Sequence, residues 1–537
     1  MLVFRENAGR ARYPSATLIR EPDSFLRSAN SNHGEQRHEL LTNALVRAGE
    51  IECALADLRL AAASAAELLS DEIARELLLR EADYESAFAR LAAQHLPESL
   101  TITTPEGFAY YALDPLRYAE TIREFRAEPA FVIGIRSVGT VLSAVAAATL
   151  RCQRMTVRPT GHPYDRELRF TAEQSAAIRR QAERGARFFI VDEGPGLSGS
   201  SFLATAEAIE REGVPAERIT LLGSHACDGS NLVASDAAAR WRRYHFVAIA
   251  PAAAPAGARP FRDWDWRRES RIDERDWPAT WSQLTPPKYI SASGDLLWKY
   301  EGLGRAGDQV RRRADVLGTA GFSPRLVAAS HGFSAYQYIQ GDPLRCTEWN
   351  AELAEQIVAY LAFRRSGFAA PADSAVLREM VLHNVRALLG VDLVGYKLDV
   401  LFACICDARL MPHEWIRSED GRIFKTDATT HGDDHFYPGP CDIAWDVAGA
   451  IIEWKLNDAS AADFGFSYER LSSDHVRHRL PQYKIAYAAF RAAYARMAAS
   501  TMPGTSEVER FIRACERYLE VLRTEVRPFV PAKKVYA

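Results

Sequence analysis

Apolar residues recur three and four apart through "HELLTNALVRAGEIECALADLRL" and again through "EIARELLLREADYESAFARLAAQHL", a spacing that predicts amphipathic helices. Before them, residues 1 to about 35 are polar with little periodicity and are expected to be partly irregular. The pattern then changes. "AFVIGIRSVGTVLSAVAAATL" reads as a short β-type run, a Gly/Ser turn and an Ala-rich helix. The same order repeats in "RFFIVDEGPGLSGSSFLATAEAIEREG" and continues through "RITLLGSHA" and "YHFVAIA". Strands that alternate with helices predict a βαβ sheet, parallel in its main part. A Pro/Ala opening and a dense mixture of Trp, Arg and Asp mark a boundary near residues 250–287. Beyond it come two short strand-like runs, "KYISAS" and "DLLWKYEG", a basic helix, a strand pair ending "AYQYIQG", and mostly helix to the C-terminus. The expected division is a helical N-terminal extension (1–125), an α/β unit (126–255), a Trp/Pro-rich connector (256–287) and an α+β unit (288–537).

Composition narrows this picture only a little. The chain of 537 residues is 47% hydrophobic and 25% charged, which is ordinary for a globular protein with several cores. A formal net charge of −4 argues against a nucleic-acid or membrane-surface binder, since those depend on summed basic charge. The partners expected are therefore small molecules, with assembly into a homo-oligomer left open. The eight cysteines form no CxxC pair, and Cys404 and Cys406 on one strand would face the same way as a buried structural pair. No signal-peptide core and no stretch of about 18 apolar residues occurs, so a cytoplasmic location is expected.

The first chemical constellation is "FFIVDEGPGLSGSSF", residues 188–202. Phe188 to Val191 form a strand, Asp192 and Glu193 stand at its end, and Gly196 to Ser201 give a loop of small residues opening a helix. Ligands of open α/β sheets bind at the carboxyl ends of strands, where turns present backbone N–H groups at helix N-termini. A phosphate suits such a loop, and the carboxylates suit vicinal hydroxyls or a metal. A sugar phosphate satisfies both. The run resembles the 5-phosphoribosyl 1-diphosphate (PRPP) motif of type I phosphoribosyltransferases. Two companions stand in the family's order: the turn of Arg136, Ser137, Val138 and Gly139, similar to its pyrophosphate loop, and "TVRPTGHPYDRELRF", similar to its mobile charged loop, with Arg158, His162, Arg166 and Arg169 as candidate cations. The resemblance implies that Asp192 and Glu193 hold the ribose hydroxyls. It also implies that Gly196, Leu197, Ser198, Gly199, Ser200 and Ser201 wrap the 5′-phosphate, that Arg166 serves catalysis, and that Mg²⁺ bridges pyrophosphate and ribose. "SHACDGSN" (224–231) follows the next strand, where an acceptor would bind.

The second constellation starts at Lys299, in the apolar strand "DLLWKYEG". A helix, a Gly–x–x–Pro turn and an aromatic strand follow, and the whole resembles the small lobe of aminoglycoside phosphotransferase-type kinases, in which such a lysine grips nucleotide phosphates. "GLGRAG" (302–307) formally fits GxGxxG but lacks the βαβ context and is read as a loop. "GRIFKTDATTHGDDHFYPGPCDIAWDVAG" is similar to the family's metal-binding segment, with Asp427 as the metal ligand and Asp442 and Asp446 as structural groups. His431, Asp433, Asp434 and His435 are read as surface or outer polar groups of that loop. In the family's catalytic loop the base stands five residues before a metal-binding asparagine. Aligned by distance to Asp427, Arg409 takes the place of the base and Glu414 that of the asparagine, with Asp407 two residues before Arg409 as the substitute acid. "QVRRRADVL" stands where a glutamate would pair with the lysine.

Taken together, these readings imply a phosphoribosyltransferase-like parallel sheet joined to a bilobal kinase-like unit. The function implied is PRPP-dependent transfer to a small acceptor, with Mg²⁺ as cofactor and a nucleotide such as ATP as ligand of the second unit, which phosphorylates a metabolite or regulates the first. The competing reading is a non-catalytic sensor that keeps PRPP or ATP pockets without turnover.

Overall fold

The computed structural model describes residues 1–5, 9–269 and 272–530. Strand β1 (Arg10–Pro14) pairs antiparallel with β2 (Ser99–Thr103) and brackets four helices: α1 (Ser15–Asn30), α2 (Gly34–Asp57), α3 (Ala63–Leu79) and α4 (Tyr84–Ala92). Residues 15–30 are thus a regular helix where an irregular segment was expected. Ser15, Leu18, Pro22, Leu26 and Ala29 are buried at helical spacing, and Leu18, Leu26 and Ala29 pack into the same core as the buried positions of α2, so the periodicity is present although Pro22 interrupts it. Two short helices, α5 (Glu106–Tyr110) and α6 (Pro115–Ile122), lead into the sheet.

That sheet has five strands: β3 (Ala130–Ile135), β4 (Gln153–Val157), β7 (Arg187–Val191), β8 (Ile219–Gly223) and β9 (His245–Ala248). Their order is β4-β3-β7-β8-β9 and every pairing is parallel. The hydrophobic run of β3 is buried at all six positions, as a strand covered on both faces requires. One face carries α7 (Val138–Leu150), buried along its whole length against α2, α3 and α6. The other carries α8 (Ala172–Glu183), α9 (Ser200–Arg211) and α10 (Ala237–Trp241). Because α7 and α9 leave β3 and β7 toward opposite faces, a crevice opens at the carboxyl ends of these two neighbouring strands. Between β4 and α8 stands a small antiparallel hairpin, β5 (Thr160–His162) and β6 (Asp165–Glu167), in place of a structureless loop.

The second unit opens with a five-stranded antiparallel sheet of β10 (Arg259–Pro260), β11 (Lys288–Ile290), β12 (Leu296–Tyr300), β13 (Leu326–Ser330) and β14 (Phe333–Gln337), in the order β10-β11-β12-β14-β13. Since β10 belongs to this sheet, the segment expected to be a connector is built into the second unit. Helix α11 (Asp263–Glu269) follows β10, and α12 (Gly304–Thr319) follows β12. The larger lobe consists of helices α13 (Ala351–Gly367), α14 (Ser374–Leu389), α15 (Ala444–Glu453), α16 (Asp458–Ser472), α17 (Leu480–Thr501) and α18 (Ser506–Glu525) around one extended apolar core. Two short antiparallel sheets edge it: β15 (Gly341–Pro343), β17 (Trp415–Ser418) and β18 (Ile423–Lys425) in one, β16 (Ala403–Cys404) and β19 (Cys441–Asp442) in the other. Val3 is buried in this distant core, and Leu2 exchanges two hydrogen bonds of 2.8 Å with Asn384, so the first residues are tied to the C-terminal lobe.

The two units are joined by close polar contacts. Arg47 of α2 donates to Asp308 of α12 at 2.6 Å, and Arg305 donates to Glu50 at 3.1 Å. Tyr300 donates its hydroxyl to Phe108 O (2.7 Å), which also accepts the N–H of Leu303 (2.8 Å). The "GLGRAG" turn lies at this seam. A Cβ on Gly302 would stand 2.7 Å from Ala109 O, so close backbone approach, rather than a dinucleotide, explains that glycine.

Candidate functional site

Two clefts bring together the residues that the sequence singled out. The first lies at the carboxyl ends of β3 and β7. Asp192 and Glu193 leave β7 there, half-buried, and the Tyr118 hydroxyl donates to Asp192 O at 2.9 Å. Across the crevice the β3–α7 turn packs so tightly that a Cβ on Gly139 would stand 2.5 Å from Val191 O. Ser137 in this turn has φ 117°, outside the region favoured for a residue with a side chain. Such backbone strain persists only where its surroundings enforce it, and it gathers at ligand sites. Gly196 and Gly199, at φ 58° and 69°, turn the chain into the N-terminus of α9 with left-handed conformations that glycine adopts freely.

Burial pushes the Asp192 carboxyl up to about 7, opposed by the N–H groups of Glu193 and Gly139 and by Arg158 and Arg166. Burial, then Asp192 and Glu106, push Glu193 well above the usual carboxylate range, while the Gly107 N–H opposes them. Two adjacent acids that resist simultaneous ionisation suit the sharing of protons with neutral hydroxyls. Of the other residues singled out, Val138 is packed in the core and offers only its backbone, and Leu197 is exposed. Arg166 donates to Pro159 O at 3.3 Å within its own hairpin. Arg136 and Arg158 converge at the crevice, but on a carboxylate that carried no signal in the sequence: Asp57, the last residue of α2. Gly107, on a short helix without any motif, was equally silent.

The second cleft lies between the small sheet and the large lobe and encloses about 2270 Å³. Its decisive contact is made by Asp446 on α15, which accepts the N–H groups of Asp407 (2.7 Å) and Ala408 (2.9 Å). This anchor fixes which residue of the loop enters the cleft. Asp407 turns away: its side chain is fully buried, it accepts the Tyr360 hydroxyl, and it lies 3.4 Å from Lys425. The substitute acid expected at Asp407 therefore does not face a substrate. Arg409 faces the cleft instead, its Nε 2.5 Å from Glu414 and its Nη2 3.1 Å from Asp427.

Asp427 and Glu414 each have two protein cations. Lys299 reaches Asp427 directly and donates to Thr430 at 3.0 Å, and Lys425 donates to Glu414 at 3.0 Å. Although burial opposes it, Lys299, His431, Lys288 and Arg409 hold the Asp427 carboxyl well below its usual range. In the helix after the lysine, Arg313 donates to Asp433 (2.7 Å) and Thr429 O (3.0 Å), which secures the segment beyond Asp427, and the carboxylate 3.6 Å from Lys299 is Glu301 instead. Magnesium requires carboxylate oxygens free to coordinate. The pair Glu414 and Asp427 does not fit that demand, because Arg409 stands between them. Among the described residues no group of three or more His, Cys, Asp or Glu side chains is arranged to hold a metal. Cys404, Cys406 and Cys441 form a buried thiol cluster, with sulfur separations of 3.8 and 3.6 Å, away from either cleft.

No family model and no curated protein matches the chain. Solved structures similar to about half of it are kinases. Choline kinase LicA from Streptococcus pneumoniae is 15% identical, with 45% of this chain and 90% of that chain covered and a TM-score of 0.29. A choline/ethanolamine kinase family protein from Mesorhizobium loti is 18% identical, over 49% and 99%, with a TM-score of 0.31. Macrolide 2′-phosphotransferase MphH from Brachybacterium faecium is 14% identical, over 51% and 98%, with a TM-score of 0.29. At such scores the likeness carries no weight of its own. Among the described residues no helix is long and apolar enough to cross a membrane.

Proposed function

We propose that the first cleft is a PRPP site and that the protein transfers phosphoribose to a small acceptor. The observation that carries this reading is the meeting of three features at the β3–β7 crevice: two adjacent carboxylates, a glycine-hinged loop at a helix N-terminus, and a strained turn facing them. The loop before α9 would take the 5′-phosphate on its N–H groups and on the Ser198, Ser200 and Ser201 hydroxyls. Asp192 and Glu193 would accept the ribose hydroxyls. Arg136 and Arg158 would meet the pyrophosphate from beside the 136–139 turn, and Mg²⁺ would enter with the phosphates of the ligand. Positioning and electrostatic stabilisation of an oxocarbenium-like transition state would supply the rate. "SHACDGSN" after β8 remains the proposed acceptor side.

For the second cleft we favour a nucleotide- or phosphate-binding module without phosphoryl transfer. Arg409 supports it: a guanidinium cannot act as a general base, and it neutralises the two acids that would hold metal. Lys299 and Arg409 would then grip the anion directly, and the module would regulate the first.

The test is incubation with PRPP, Mg²⁺ and a cell metabolite extract, followed by mass spectrometry for a pentose-phosphate adduct and an assay of released pyrophosphate. The wild type should form an adduct and Asp192→Asn should not. A folded wild-type protein that neither consumes PRPP nor forms an adduct would end the transferase reading.

A further inference from the structure

The cations assigned above to pyrophosphate are not idle in this structure. Arg136 donates Nε to Asp57 at 2.8 Å, and Arg158 donates Nε and Nη2 to the same carboxylate at 3.1 and 2.5 Å. One carboxylate thus takes three N–H donors from two arginines, in the way a bridging phosphate oxygen pair would. Arg158 also donates Nη1 to Arg136 O (2.8 Å) and Nη2 to Cys53 Sγ (3.2 Å), so four of its five N–H groups hold the fork in place. Asp57 stands outside the sheet itself, on a helix packed against α7 of the same unit. It ends α2, a helix of 24 residues and hence roughly 36 Å. That helix is clamped to the second unit by the Arg47–Asp308 and Glu50–Arg305 pairs.

We infer that Asp57 is a built-in anion that occupies the pyrophosphate-binding arginines, so that a phosphorylated ligand must displace the end of α2 in order to bind. The proposal rests on reading the crevice as an anion site. It assigns the N-terminal helices a role that the sequence left open: they carry a competing carboxylate, placed by the packing of α2 on the sheet unit and tied as well to the second unit. A second contact acts in the same sense. Pro163 O, at the tip of the β5–β6 hairpin, accepts the hydroxyls of Ser198 (2.8 Å) and Ser200 (2.7 Å), so the phosphate loop is engaged by the hairpin as the arginines are by Asp57. The charge difference decides which contact matters more. A carbonyl on two neutral hydroxyls yields to phosphate readily, whereas a carboxylate on two guanidinium groups competes as one anion with another.

The test titrates the full-length chain with inorganic pyrophosphate by calorimetry and compares wild type with Asp57→Asn, and with Asp57→Ser should the first variant fold poorly. Removing the competing charge should tighten pyrophosphate binding by about 10- to 100-fold. In the wild type, saturating pyrophosphate should speed amide hydrogen exchange in the last turn of α2, around residues 53–57, because that turn is released. Equal affinities for wild type and both folded variants, or unchanged exchange on ligand binding, would overturn the role of Asp57 while leaving the anion site standing. Absence of binding by wild type and folded variants alike would overturn the anion site itself.

Discussion

Arg409→Ala tests the claim that a guanidinium stands where a kinase-like cleft would keep its metal. The partly exposed side chain pairs with the buried Glu414 at 2.5 Å and with Asp427 at 3.1 Å. Each acid would retain one cation, Lys425 and Lys299 respectively, so the loss falls below that of stranding an isolated buried charge. We expect a cost of about 2–3 kcal/mol. For a unit of this size that lowers the thermal midpoint of its transition by roughly 5–10 °C. With the guanidinium gone, the two carboxylates lose the cation they share and each keeps one lysine, which leaves carboxylate oxygens open to a hard divalent cation. A cation present at about 100 times its dissociation constant returns about 2.7 kcal/mol, close to the whole loss. The assay is thermal denaturation of wild type and variant in EDTA and in millimolar Mg²⁺ or Mn²⁺. The wild type should be insensitive to metal and the variant rescued by it. A variant whose midpoint ignores both ions, or a wild type stabilised by them without a phosphate ligand, would refute the reasoning.

Three further outcomes are expected. Because burial raises the Asp192 carboxyl to about 7, the folded state holds a proton that the unfolded state has lost, so stability present at low pH is lost as pH rises through 7. Asp192→Asn removes this dependence: its stability relative to wild type should grow by about 2 kcal/mol between pH 5 and 8, measured by urea unfolding at each pH. Arg154→Met breaks a buried bidentate pair with Glu52, at 2.9 Å to each oxygen, and a contact with Asp71 at 2.5 Å, which together tie α2 and α3 to β4. It should destabilise the first unit by about 3–5 kcal/mol, read from its urea midpoint, and Glu52→Gln alongside should recover part of the loss. Asp446→Ala leaves the N–H groups of Asp407 and Ala408 without acceptors, so it should lower the second transition by about 2–4 kcal/mol and weaken ATP binding measured by fluorescence, as Arg409 loses its placement.

Much of the architecture was legible along the chain. The short apolar runs of β3, β7 and β8 read as strands, and their alternation with helices indicated a sheet parallel in its main part. "DEGPGLSGSS" announced its position because the acids and glycines are contiguous there. Asp407, Arg409, Glu414 and Asp427 could be placed by spacing, since they lie on one short stretch of chain. Helix α1 was hidden because its buried face is thin, with Ser15 and Pro22 among the apolar positions 18, 26 and 29, and a proline reads locally as a break.

The order of strands, and so the crevice at β3 and β7, was decided by tertiary structure. So was the direction in which each loop acid points. Asp407 and Arg409 stand two residues apart, and partners from distant elements, Asp446 on the loop backbone with Tyr360 and Lys425 on the Asp407 side chain, turn one inward while the other enters the cleft. Asp57 shows the limit most clearly. Nothing near it marks a site, yet it meets Arg136 and Arg158, 79 and 101 residues away in the chain, because α2 packs against the sheet and ends at its edge. Local pattern determines which segments become strands and helices through burial of their own side chains. Charges brought together by packing depend on every element between them, and that information is not written at either residue.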